Sequence, residues 1–94
     1  MRQEARIGGV RLPIDREIMS ERIIKNLAKG TYESDEIKRV AALVRPGDTV
    51  LELGAGLGFV STYLRRSTAA GQIVSIEANP YLIPYIRKVH LLNE

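Results

Sequence analysis

The sequence has no cysteine and no tryptophan, and only one phenylalanine and one histidine among 94 residues. The absence of cysteine excludes disulfide bonds and thiolate metal sites, which agrees with a cytoplasmic protein. A lone histidine at a helical position, here His90, is usually a surface or packing residue, and we expect no metal site. No apolar run approaches the roughly 18 residues that span a bilayer, and the N-terminus lacks the apolar core of a signal peptide. We therefore expect a cytoplasmic protein with no membrane partner.

Positive charge is in mild excess but is not concentrated anywhere. The chain has 14 lysines and arginines against 11 acidic residues, a net charge of +3. The pairs Arg65-Arg66 and Arg87-Lys88 are short, and we expect them on solvated helix faces. Because no aromatic residues are interleaved with them and no nucleic-acid motif is recognisable, the charge pattern predicts no nucleic-acid partner.

Glycine, by contrast, is concentrated in one segment, where residues 50–58 read VLELGAGLG. The apolar run predicts a buried strand, the glycines a tight turn, and the residues that follow the start of a helix. Gly54 and Gly56 allow the chain to reverse and bring bare backbone to a ligand. Gly58 is expected to allow close packing of the helix on the strand.

Two acidic residues accompany this turn. Glu77 ends a second apolar run, about 20 residues further on, where a carboxylate accepts hydrogen bonds from a ribose diol. Glu52 lies inside the first apolar run, where a carboxylate needs a partner to offset its desolvation. We expect it to bond the amides of the turn or to reach a ligand's ammonium group through water. Together these residues predict half of a nucleotide-binding fold.

The glycine spacing distinguishes between nucleotides. A dinucleotide site has the pattern G-x-G-x-x-G, which requires a third glycine where this chain has Phe59. The chain instead reads E-x-G-x-G-x-G from Glu52, which resembles motif I of the class I S-adenosylmethionine-dependent methyltransferases. The resemblance implies S-adenosylmethionine as the cofactor. It also implies that the cofactor is bound by Glu52, Gly54, Ala55, Gly56, Gly58 and Glu77.

The flanking segments are similar to one branch, the FkbM-type methyltransferases. The similarity is carried by Gly30–Glu33, by Arg45–Thr49 and by Ile73–Pro80. It implies O-methyl transfer to a small metabolite, polyketide or sugar, with Tyr32 and Glu33 closing over the methionine end of the cofactor. From the residues alone, Tyr32 equally fits packing between helices, and Glu33 fits a helix start, where negative charge is favourable.

The N-terminal part is predicted to hold a hairpin arm and two helices. The arm covers residues 5–13. The first helix is expected to be capped by Asp15 and to end at Gly30, and the second to follow Ser34. Pro46-Gly47 predicts the turn before the first core strand.

The C-terminal part is predicted to alternate strands and helices. The strand from Thr49 to Leu53 is nearly continuous in apolar residues, as expected when both faces are covered. A crossover helix follows the turn, and the second strand runs from Gln72 to Glu77. Asn79-Pro80 opens the last helix, but Pro84 removes a donor there, so that helix begins late or distorted.

The predicted fold is α/β, a partial Rossmann-like βαβ unit of parallel strands preceded by two helices. We interpret residues 1–94 as a single truncated methyltransferase domain, with an arm and helices at 1–45 and a βαβα cofactor-binding unit at 46–94. A doubly wound sheet has five or six strands, so we expect the chain alone to be inactive and a small-molecule acceptor to bind the full-length enzyme. The open sheet edge or the flanking helices predict a homo-oligomer.

Two alternatives remain. One is an NAD(P)-binding half domain of an oxidoreductase, which Phe59 disfavours. The other is a noncatalytic oligomeric module that keeps the fold, which the short length and mildly basic charge favour. No residue of the chain is assigned as a catalytic base.

Overall fold

A β-hairpin packs beside a small α/β unit in the computed structural model, which describes residues 3–94. In chain order the elements are β1 (Glu4–Ile7), β2 (Val10–Pro13), α1 (Glu21–Lys29), α2 (Ser34–Leu43), β3 (Thr49–Leu53), α3 (Phe59–Ser67), β4 (Gln72–Ile76) and α4 (Ile83–Leu92), with a short 3₁₀ turn at Pro80–Leu82 before α4. The crossover helix α3 joins β3 to β4, and these two strands pair in parallel. The predicted α/β class, a partial Rossmann-like unit with two helices before it, is confirmed.

Only one face of the parallel sheet is covered. Val50 and Ile73 pack against the buried core, whereas the alternate side chains point away from it. Among these, Leu51 is 60% exposed and Leu53 is 75% exposed. The prediction that the first strand is covered on both faces is therefore wrong for the described residues. We call the open side the apolar sheet face; it consists of Leu51, Leu53, Val74 and Ile76.

The N-terminal arm forms an antiparallel hairpin, as predicted. Its two strands are joined by Gly8 and Gly9, which have φ of +56° and +82°, as a two-residue hairpin turn requires. The inward side chains Val10 and Leu12 are fully buried. They join a core drawn from both halves of the chain, comprising Ile7, Val10, Leu12, Met19, Leu27, Ile37, Leu57, Phe59, Leu64, Tyr85 and Val89.

Hydrogen bonds from α4 hold the hairpin in place. The side-chain amide of the buried Asn93 accepts from the N–H of Arg11 at 2.8 Å and donates to its carbonyl oxygen at 2.9 Å. The hydroxyl of Tyr85 donates to the carbonyl oxygen of Pro13 at 2.7 Å. Asn93 thus bonds β2 much as a neighbouring strand would, and the end of the chain is tied to its beginning.

The start of the first helix differs from the prediction, whereas its end agrees. Asp15 does not cap α1; its carboxylate accepts from the N–H of Glu17 within a separate turn. The helix begins at Glu21, capped by the hydroxyl of Ser20. Because Asp15 bonds its own local backbone first, it is not available as the helix cap. Gly30 ends the helix with φ of +72°, as predicted.

The last helix begins late, as the position of Pro84 predicts. Asn79 caps the 3₁₀ turn at Pro80–Leu82, and regular helix begins only at Ile83. Pro84 lies in the first helical turn, where a missing N–H leaves no intrahelical bond unmade. Along residues 3–94, no helix is long and apolar enough to cross a membrane.

Candidate functional site: the glycine turn between β3 and α3

The glycine turn, residues 54–58, begins where β3 ends. Gly54, Gly56 and Gly58 all have positive φ, at +84°, +57° and +77°, a conformation that disfavours side chains. The N–H groups of Gly54 and Ala55 both donate to the carbonyl oxygen of Ile76, at 2.7 and 3.1 Å. The turn is therefore fixed against the carboxyl end of β4, as expected for a loop that presents bare backbone to a ligand.

Glu77 bonds the middle of this turn. Its Oε1 accepts from the N–H of Gly56 at 2.7 Å, and its Oε2 accepts from the N–H of Asn79 at 2.9 Å. The donors at Asn79 and Gly56 hold the pKa of Glu77 below its usual value. Each carboxylate oxygen has more than one lone pair, so an ionised Glu77 retains acceptor capacity for a ligand's hydroxyl groups.

Glu52 has a different partner from those expected. Its Oε1 accepts from the hydroxyl of Ser75 at 2.9 Å; the turn amide at Gly56 bonds Glu77 instead. The sheet register explains this pairing, because residues 52 and 75 lie opposite each other on the same face. Burial raises the pKa of Glu52, against the effect of the Ser75 hydrogen bond.

Tyr32 lies at the turn while also packing in the core. A methyl group added at Gly56 would lie 3.7 Å from the hydroxyl oxygen of Tyr32. The Tyr32 ring meets the ring of Phe59 edge to face, with centroids 5.9 Å apart. Burial raises the pKa of Tyr32 to about 12, with contributions from the nearby charges of Glu33 and Glu52. The two roles expected for Tyr32, packing and a place at the site, are thus compatible.

Glu33 also comes near the site. It precedes α2 with φ of +50°, in the left-handed region. Burial raises the pKa of its carboxyl group, and the charge of Glu36 raises it further. The charge of Glu33 in turn raises the pKa of Glu52. The glycine turn is therefore bordered by Glu33, Glu52 and Glu77, which predicts a negative potential there.

Gly58 packs closely against a helix, although the strand was the expected neighbour. A methyl group added at Gly58 would lie 3.2 Å from Cγ2 of Ile86, on α4. One turn further along α4, Nε2 of His90 lies 2.8 Å from the hydroxyl oxygen of Ser61 on α3. Sequence reasoning missed this pair, because nothing in the pattern links a serine to a histidine 29 positions later.

A groove of about 1010 Å³ adjoins the turn along the outer edge of β4. Its lining includes Ala55 and Glu77 near the turn, and Arg65 and Arg87 from α3 and α4. The hydroxyl of Thr62, which also lines the groove, is buried and has no hydrogen-bond partner among the residues described. Over that same part of the chain, no cluster of three or more histidine or acidic residues is placed to hold a metal ion.

Comparison with known proteins identifies a methyltransferase domain family. The family model described as the TRM5/TYW2 methyltransferase domain matches residues 9–94. The chain is 44% identical over 54 residues to the ribosomal RNA large subunit methyltransferase E of Verminephrobacter eiseniae (strain EF01-2), covering 56% of this chain and 22% of that protein. It is 40% identical over 53 residues to the ribosomal RNA small subunit methyltransferase A of Geobacter sulfurreducens (strain ATCC 51573 / DSM 12127 / PCA), covering 54% and 18%. No solved structure matches the chain significantly.

These relatives correct the prediction about partners. Both are ribosomal RNA methyltransferases by name, which overturns the expectations of a small-molecule acceptor and of no nucleic acid. That prediction rested on scattered charge, but folding brings Arg65 and Arg87 from separate helices to one groove.

The comparisons support the methyltransferase resemblance at its broad level. They do not single out the FkbM type, and the expected homo-oligomer stays a prediction. The chain spans about a fifth of the length of the two relatives, whereas the family model matches nearly all of the chain. The chain belongs to the TRM5/TYW2 methyltransferase domain family.

Proposed function

We propose that this chain is the S-adenosylmethionine-binding portion of a methyltransferase that acts on RNA. The observation that carries the proposal is the glycine turn, whose bare backbone is fixed to β4 and bonded by the ionised carboxylate of Glu77. Two relatives named as ribosomal RNA methyltransferases support the RNA acceptor. The whole protein's activity is part of the proposal.

The residues at the turn fit the cofactor. A methyl group added at Gly54 would meet nothing within 4 Å, so the backbone there is open to a ligand. In this proposal the carboxylate of Glu77, which bonds the N–H of Gly56, also accepts hydrogen bonds from the ribose hydroxyls. The cofactor carries a sulfonium and an ammonium group, which the negative charge of Glu52 and Glu33 favours. The remaining contacts in this proposal come from Tyr32, Ala55, Gly56 and Gly58.

In this proposal the chain supplies only part of what methyl transfer requires, namely the binding of the cofactor. When bound, the cofactor supplies an electrophilic methyl group on a sulfonium sulfur. This chain contributes binding and orientation, which raise the rate by fixing the reacting atoms relative to one another. We propose that residues 46–94 form the cofactor-binding unit of one domain and residues 1–45 its arm and helices, and that the 94 residues alone are inactive.

The RNA acceptor is tested by methyl transfer. The full-length protein that carries this chain is incubated with S-adenosylmethionine labelled in its methyl group, together with ribosomal RNA. We expect label in the RNA, and much less label at low cofactor concentration when Glu77 is replaced by alanine. Label found only in small hydroxyl compounds would contradict the RNA proposal.

A further inference from the structure

Helix α4 meets the C-terminal end of the glycine turn through an apolar contact and a hydrogen-bonded pair of side chains. The hydroxyl of Ser61 donates to the carbonyl oxygen of Gly58 at 3.2 Å. The same hydroxyl oxygen lies 2.8 Å from Nε2 of His90. The first part of the turn is anchored by the Ile76 carbonyl oxygen and the Glu77 carboxylate, which belong to β4 and the residue after it. At the Gly58 end, the N–H of Gly58 donates to the carbonyl oxygen of Ala55, and the N–H of Thr62 donates to the carbonyl oxygen of Gly58. The Ser61–His90 pair adds a side-chain link from this end of the turn to α4.

The tautomer of His90 sets the direction of this relay. A serine hydroxyl has one proton, and here it is donated to the Gly58 carbonyl oxygen. In the tautomer that carries its proton on Nε2, His90 donates to the hydroxyl oxygen while the hydroxyl donates to Gly58. The chain of bonds runs from the imidazole through the hydroxyl to the turn, and each bond polarises the next.

The relay bonds to Gly58, a residue whose backbone conformation is not restricted by a side chain. Gly58 has φ of +77°, a conformation that glycine leaves readily because it has no side chain to restrict it. Ile86 packs against Gly58 from the same helix that carries His90. The two contacts, one apolar and one hydrogen-bonded, are a single helical turn apart on α4.

We propose that Ser61 and His90 are positioning residues for the cofactor, which hold the Gly58 end of the glycine turn in its binding conformation without contacting the ligand. This inference rests on the proposed cofactor site and adds a second element, α4, to its support. Loss of the imidazole donor should loosen the turn and weaken cofactor binding.

The test compares His90→Leu with His90→Gln in the 94-residue chain. A glutamine amide can donate to Ser61 as the imidazole does, whereas leucine has no donor. We expect His90→Leu to speed hydrogen exchange at the amides of residues 56–61 and to weaken S-adenosylhomocysteine binding by about 2- to 10-fold, the effect of one hydrogen bond. His90→Gln should restore both quantities to near the parent values.

Ser61→Ala provides a second variant in case leucine at position 90 disturbs folding. It should match His90→Leu, and the double variant should be no worse than either, because both changes break one relay. Equal exchange and equal affinity in the leucine and glutamine variants would overturn the inference. So would additive effects in the double variant, or faster exchange with unchanged affinity. A parent chain that binds no ligand would instead count against the proposed function, while the exchange rates would still decide whether the relay holds the turn.

Discussion

At the scale of single residues, two carboxylates beside one turn have opposite environments. Glu77 accepts from two backbone N–H groups, which lower its pKa. Glu52 is half-buried and bonds one hydroxyl, and its pKa is raised chiefly by burial. In such a pair, the residue with backbone donors is suited to remain ionised and bind a ligand, whereas the buried one costs stability when it is charged.

Replacing Glu77 by alanine tests its assignment to the ribose. Hydrogen bonds to a charged group are stronger than neutral ones, so we expect S-adenosylhomocysteine affinity to fall by roughly 10- to 100-fold. Glu17→Ala is the control: it removes the same charge at an exposed position distant in sequence from Glu77 and should leave the affinity unchanged. Isothermal titration calorimetry measures both variants. An unchanged affinity for Glu77→Ala would argue against the ribose role.

Replacing Glu52 by glutamine should stabilise the fold at neutral pH while weakening cofactor binding. The folded-state pKa of Glu52 is raised, so its contribution to stability is full below the ordinary pKa of a glutamate and is lost as the pH rises through the folded pKa. Glutamine keeps the acceptor for Ser75 and removes the charge. Because Glu52 is only half-buried and its charge is partly screened by solvent, we expect a modest rise in Tm at pH 7 and a smaller rise at acid pH. A lower Tm at pH 7 would contradict this account.

The position of Glu77 could be predicted from the sequence, whereas the partner of Glu52 could not. The placement of Glu77 after the second strand follows from spacing alone, because the chain between two parallel strands has a regular length. The partner of Glu52 does not, because it depends on the register that sets Ser75 opposite. A strand pattern predicts which residues alternate, but not which residue of another strand each one meets.

At the scale of elements, α4 connects the two ends of the molecule. It packs against Gly58 at the glycine turn through Ile86 and bonds the hairpin through Asn93. Helices in small domains take most of their stability from such tertiary contacts rather than from intrinsic propensity. A substitution at either contact should therefore change the unfolding free energy of the whole domain.

Gly58→Ala should cost more stability than Gly9→Ala. Both glycines have strongly positive φ, at +77° and +82°, a strain of about 1–2 kcal/mol for alanine. Only at Gly58 does the new methyl group meet a neighbour, 3.2 Å from Ile86, and overpacking adds about 1–3 kcal/mol. Urea unfolding of the two variants measures the difference. Equal losses would show that the contact with α4 is not tight.

Asn93→Ala should destabilise the protein by about 2–3 kcal/mol, because it leaves the backbone donor and acceptor of Arg11 without their partner. Asn26→Ala is the control, since within the described residues Asn26 bonds through its backbone carbonyl; we expect a change below about 0.5 kcal/mol. Thermal unfolding measures both. A small loss for Asn93→Ala would mean that the hairpin is held mainly by its apolar side chains.

The elements were predictable where their signals are local. The paired glycines predict the hairpin, Gly30 ends α1, and Pro84 delays α4. Asp15 misled the prediction because a turn of its own competes for the carboxylate. The contacts of Asn93 join residues 82 positions apart, and no local pattern carries such information.

At the scale of the whole molecule, one face of the parallel sheet packs on the core, whereas the other face is exposed. The apolar sheet face exposes four large side chains, of which Ile76 is 52% exposed and Val74 is 40% exposed. Parallel sheets are normally covered on both faces, and exposed apolar patches mark interaction sites or aggregation-prone surfaces.

Polar substitution on this face should cost little. We expect Leu53→Thr with Ile76→Thr to lower the fluorescence of bound ANS, a dye that reports exposed apolar surface. The unfolding free energy should change by less than about 1 kcal/mol, because little apolar area is lost from the core. Leu64→Thr, at a position only 1% exposed, should instead cost about 2–5 kcal/mol. Undiminished dye binding in the double variant would place the exposed apolar surface elsewhere.

Charge is the whole-molecule property that the sequence predicted least well. Arginines that are scattered along the chain converge on one groove only after α3 and α4 pack together. The glycine turn, in contrast, is a contiguous motif whose chemistry is readable from its spacing. Sequence therefore predicted the methyltransferase class, whereas its prediction of no nucleic-acid partner was wrong.

The central claim is that the glycine turn binds S-adenosylmethionine, and calorimetric titration with S-adenosylhomocysteine tests it most directly. The purified, folded chain is titrated with this ligand in the absence and presence of NAD. We predict binding of S-adenosylhomocysteine that NAD does not displace. Tighter binding of NAD, or a folded chain that binds neither ligand, would contradict the claim.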